Sequence, residues 1–144
     1  MTKTDIKSLQ SQYWKKLTSE LNDNYPQFKP RRPDRNAYYL PLGDKTSHIS
    51  MKVNSRKNIQ ECKIVISHNK GLYKFLEKNK DQIEKRINLN LDWNIKEGVE
   101  SHITLRRDFD IKDTSCWNDA IKWHLDMAHE FFFEFTTWIN LYCD

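Results

Sequence analysis

Between Tyr38 and His68 the chain alternates strictly. YYLPLG sets Tyr38, Leu40 and Leu42 against Tyr39, Pro41 and Gly43; HISMKVNS sets Ile49, Met51 and Val53 against His48, Ser50 and Lys52; CKIVISH sets Cys62, Ile64 and Ile66 against Lys63, Val65 and Ser67. A period of two sends successive side chains to opposite faces of a strand. Three such runs joined by DKTS and RKNIQE read as hairpin-linked strands with one apolar face. A pleated ribbon of this kind must be covered, so the rest of the chain has to supply the cover. Pro41 has no N–H for a ladder, which places its strand at an edge.

The cover is legible as helices. DIKSLQSQYWKKLTSEL carries Ile6, Leu9, Tyr13, Trp14, Leu17 and Leu21 at helical spacing, with Thr4 or Asp5 available as a cap. Tyr13 and Trp14 read as wedges between this helix and its neighbours. Residues 70–88 read as one helix with Leu72, Phe75, Leu76, Ile83 and Ile87 inward, ending where Asn88 suits a left-handed cap. LDWNIKEGVESHITLRRDF reads as a second hairpin, with Leu91, Trp93, Ile95, Ile103 and Leu105 on one face and Gly98 in the turn. A long helix from about Ser115 carries Trp117, Ile121, Leu125, Ala128, Phe132, Phe135, Ile139 and Tyr142. The predicted fold is α+β, in the order α-β-β-β-α-β-β-α. Its sheet is five-stranded and mainly antiparallel, with the helices packed on one face.

The 144 residues are enough for one domain with its own core, and the five Trp, six Tyr and seven Phe fill it with few side chains. MTKTDIKS has no apolar run after its charges and does not read as a signal peptide. The most apolar segment, FFFEFTTWINLY, is interrupted by Glu134 and Asn140, so no membrane span is expected. Cys62, Cys116 and Cys143 are odd in number and lack CxxC spacing, which predicts reduced thiols and a cytoplasmic home. The net charge of +4 tolerates an anionic partner without requiring one.

YWKKL, KDQIEKRINLNLDWN and CWNDAIKWHLDMAHEFFFEF together resemble the bacterial domain-of-unknown-function family numbered 4268. The matching residues are Tyr13, Trp14, Ile83, Glu84, Leu91, Trp93, Trp117, Trp123 and Phe135, and Asn88 stands where the family has glycine. Such domains are often appended to a restriction-nuclease-like N-terminal part, for which this chain has no room. The resemblance implies a DNA- or defence-associated setting and assigns no catalytic residue.

The residues themselves offer two kinds of site. Pro33-Asp34 followed by Glu61-Cys62-Lys63 mimics the core of a Mg²⁺-dependent nuclease. There Asp34 or Asp44 and Glu61 would hold the cation, and Lys63, on the face of Glu61, would sit beside the phosphate. The competing reading makes Glu61 and Lys63 the solvated face of an amphipathic strand. The better binding feature is the cluster Lys29, Arg31, Arg32 and Arg35 among Tyr25, Phe28, Tyr38 and Tyr39, since arginines neutralise phosphates and rings stack on bases. The polar sheet face adds Lys52, Lys63, Lys96 and Arg106, diluted by Glu61, Asp92 and Glu97, while Arg107 points inward or to the strand end.

The five histidines form no metal box, and His48 and His102 read as surface residues. Cys116 reads as a small buried apolar residue or as a thiol acidified by the helix N-terminus. The expectation is a binding or assembly module without its own active site, cofactor or metal. Its partner is nucleic acid or a nuclease or defence protein. Edge strands also suit a homodimer.

Overall fold

The computed structural model describes residues 3–26, 28, 37–95 and 99–143. The elements are α1 (Lys3–Asn24), β1 (Ala37–Pro41), β2 (Ser47–Asn54), β3 (Ile59–Ser67), α2 (Lys70–Lys78), α3 (Lys80–Ile87), β4 (Asp92–Ile95), β5 (Glu100–Asp108), a 3-10 turn at Thr114–Cys116, and α4 (Trp117–Cys143). The expected order holds. The sheet runs β1-β2-β3-β5-β4 and is antiparallel throughout, with β1, which ends at Pro41, at one edge and β4 at the other.

Register decides which side chains meet. Leu40 lies opposite Ile49, Ile49 opposite Ile64, Ile64 opposite Ile103, and Ile103 opposite Trp93. The next row aligns Met51, Cys62 and Leu105. These rows make the inner face, and Ile49, Met51, Cys62, Ile64 and Ile103 are completely buried there. Removing such a surface from water is the main favourable term of the fold, about 25 cal/mol per Å² of apolar area.

The helices cover that face. α4 lies across β2 and β3, with α1 on one flank and α2 and α3 on the other. Asn118 and Asp126 of α4 face Lys16 and Tyr25, while Glu134 and Trp138 face α3 and α2. Tyr13 and Trp14 are the expected wedges: Tyr13 sits edge-on to both Trp14 and Trp117. α1 is described from Lys3, and Asp5 falls in its first turn.

Residues 70–88 form two helices, not one. At Asn79 the side-chain amide donates to the Phe75 carbonyl at 2.8 Å, and the backbone N–H turns to Leu76 O at 3.0 Å. The side chain thereby takes the acceptor that a continuing helix needs, and the helix breaks there. Asn88 does adopt the left-handed cap, at φ 58° and ψ 45°. Tyr142, expected in the inward stripe of α4, is 40% exposed, whereas Phe131 and His124 are fully buried.

Glu134 is also largely buried. Both its oxygens accept from Arg86 Nε, at 2.9 and 3.0 Å, and Trp138 Nε1 donates to Oε2 at 2.7 Å. The carboxylate that interrupts the apolar run therefore ties α4 to α3. Among the described residues no helix is long and apolar enough to cross a membrane.

Candidate interaction surface

Every described helix packs on the inner side of the sheet, so no described helix covers the outer face, although Ser50, Val65 and Thr104 on it are buried. Register builds it in rows. Lys52, Glu61 and Arg106 form one row, Tyr39, Ser50, Lys63, Thr104 and Asp92 the next, and Pro41, His48, Val65, His102 and Asn94 a third. Glu61 and Lys63 share this face, as a period of two requires.

The charges on it are largely satisfied within the face. Arg106 Nε donates to Glu61 Oε2 at 3.1 Å and its Nη1 to Asp92 Oδ2 at 3.0 Å, crossing three strands. Burial would lower the guanidinium pKa, but the hydrogen bonds Arg106 donates to the Asp92 and Glu61 carboxylates, with their charge, raise it. His102 Nε2 lies 3.1 Å from Glu100 Oε1. His48 and His102 flank Val65 in the same row. Tyr39 closes on His48 edge-on at 5.2 Å. The result is a largely polar surface whose charged side chains are held before any partner arrives.

Of the nuclease set, Asp44 is not brought to Glu61. It lies in the β1–β2 turn, where it accepts from Thr46 Oγ1 (2.7 Å), Ser47 Oγ (2.8 Å) and Ser47 N (3.0 Å). Glu61 is opposite Lys52, five residues along β2 from Ser47, a separation of roughly 17 Å at strand rise. Asp34, Lys29, Arg31, Arg32, Arg35 and Lys96 lie outside the described residues, as does Gly98. Among the described residues no group of three His, Cys, Asp or Glu could hold a metal ion.

Beneath the sheet lies a polar network that the sequence pattern did not announce. His124 Nε2 donates to the Glu61 carbonyl at 3.1 Å, which leaves Nδ1 to accept from the Tyr13 hydroxyl at 2.6 Å. Gln60 Nε2 lies 3.2 Å from the same Nδ1 and donates to Ala120 O at 3.1 Å. Gln60 Oε1 accepts from Arg107 Nε at 2.6 Å, and Arg107 Nη2 reaches Asp119 at 2.7 Å. Arg107 also lies over the Trp123 ring, 5.2 Å from its centroid. Arg107 thus points inward, as its strand position predicts.

Burial depresses His124 to about 3, so the imidazole is neutral, and burial likewise holds the Tyr13 hydroxyl protonated. The clue in the sequence was an alternation: Gln60 and Arg107 fall on the apolar side of their strands. The network fixes α1, α4, β3 and β5 to one another.

Cys116 is neither buried nor acidified. It is exposed, and its thiol donates to Asp113 Oδ2 at 3.3 Å; that bond to a carboxylate raises its pKa, outweighing the opposite effect of a hydrogen bond with Ser115. Cys62 is buried with its pKa raised by desolvation.

Among curated proteins and among solved structures nothing matches this chain. A family model does match, over residues 9–137, from Leu9 in α1 to Thr137 near the end of α4. That span holds the whole sheet and the buried network, and the chain belongs to the family described as Domain of unknown function (DUF4268).

Proposed function

We propose that this domain is a binding and assembly module of bacterial DNA-processing or defence machinery, with no reaction centre of its own. Its uncovered sheet face receives a protein partner such as a nuclease. The observation that carries this reading is the outer face itself: five strands wide, with no described helix packed on it and Arg106 already shared between Glu61 and Asp92. Charges neutralised in advance lose little on desolvation, which suits a protein surface better than a polyanion. Three free thiols, two of them exposed, favour a reducing cytoplasm.

The test is co-expression with a restriction-nuclease-like protein and purification through a tag on this chain. Wild type should retain the partner, and Lys52→Glu with Lys63→Glu should lose it while far-UV circular dichroism shows the fold kept. Equal retention by both proteins rejects the sheet face as the contact. Sedimentation of the isolated domain reports whether a second copy takes the same face.

A Mg²⁺-dependent nuclease remains a second reading, favoured by the shared face of Glu61 and Lys63 and needing Asp34 as its second carboxylate. Cleavage of plasmid DNA in MgCl₂ that Glu61→Gln abolishes would establish it in place of the first.

A further inference from the structure

We infer that α2 and α3 form a contact surface for the phosphate backbone of a nucleic acid. Residues 70–87 hold six cations, Lys70, Lys74, Lys78, Lys80, Lys85 and Arg86, against the three carboxylates Glu77, Asp81 and Glu84. One eighth of the chain therefore carries +3 of its +4 net charge. All six cations are exposed. Lys70, Lys74 and Lys78 follow one another at i, i+4 along α2, opposite the buried Leu72, Tyr73 and Leu76. They form a straight ridge with steps of about 6 Å.

Two of the three carboxylates are engaged elsewhere. Glu77 accepts from the Tyr73 hydroxyl at 3.1 Å, and Glu84 accepts from Leu91 N at 2.6 Å. Among the described residues Lys70, Lys74, Lys78, Lys80 and Lys85 make no ion pair. This is the reverse of the sheet face, where Arg106 is paired twice. Like charges at i, i+4 repel and weaken a helix. Packing gains nothing from them, because they project from the crest. A duplex carries one negative charge per roughly 1.7 Å of axis, so a ridge of this length meets several phosphates and releases their counterions. The contact is one of charge, without base recognition.

The inference rests on the DNA-linked setting proposed above but not on the sheet face, and the two separate experimentally. Binding of a short labelled DNA duplex is followed by fluorescence anisotropy across a salt series. The variant Lys70→Ala/Lys74→Ala/Lys78→Ala should bind about tenfold more weakly than wild type at low salt, and the slope of log affinity against log salt should shrink by about 2 to 3. The corresponding triple arginine variant should retain affinity, which separates loss of charge from loss of fold. Lys52→Glu with Lys63→Glu should leave DNA binding intact even where it abolishes partner retention.

No binding by wild type at the lowest salt overturns the inference. So does an alanine variant with unchanged affinity and slope. Loss of binding in Arg31→Ala/Arg32→Ala/Arg35→Ala alone, with the ridge variant unaffected, would move the contact to the basic segment before β1 and overturn it too.

Discussion

His124 lies in a helix whose pattern reads as an ordinary apolar stripe, yet the imidazole is completely enclosed and bonded at both nitrogens. Its pKa falls from 6.5 to about 3 because burial disfavours the cation. Above pH 6.5 neither the folded nor the unfolded protein protonates it, and its full contribution is present. Between 6.5 and 3 the unfolded chain binds a proton that the folded one refuses, so stability falls as pH falls, by roughly 1 kcal/mol per unit. Urea midpoints measured from neutral to mildly acidic pH should show this slope, and His124→Gln should flatten it; an identical slope in both proteins would refute the assignment. At neutral pH, Tyr13→Phe removes the donor to His124 Nδ1 and should cost about 1–2 kcal/mol in equilibrium unfolding, since a buried acceptor loses its best partner. None of this is legible at Tyr13 or His124 alone, because the two are 111 positions apart.

At the scale of elements, alternation located all five strands, and Trp93 and Ile103, expected on one face, do lie opposite each other. Asn88 was equally readable, since left-handed geometry belongs to the residue itself. The break at Asn79 was not. Asn is a tolerable helix residue in solution and breaks this one because its amide captures the Phe75 carbonyl. The lysine crest of α2 yields a prediction opposite in sign to most surface truncations. The variant Lys70→Ala/Lys74→Ala/Lys78→Ala removes two like-charge pairs and should stabilise the fold by up to about 1 kcal/mol, raising the melting temperature by about 2–4 °C. A drop in melting temperature would mean that these side chains pack rather than project.

Over the whole molecule, β3 is bonded to a strand on each side and backed by α4, while β1 and β4 are edges. Amide exchange should therefore be slowest in Cys62–Ile66 and fastest among the strands in β1 and β4, because opening the centre requires opening the fold. Exchange in β1 as slow as in β3 would contradict that hierarchy.

Periodicity and turn chemistry, which are properties of neighbouring residues, determined on their own the strands, the helical segments apart from the break at Asn79, their order and the inner and outer faces. The tertiary structure alone decided that β5 pairs with β3, that His124, Gln60 and Arg107 join into one network, and that Asp44 and Glu61 stand apart. Those outcomes depend on distances between residues remote in the chain, and local spacing carries no information about them.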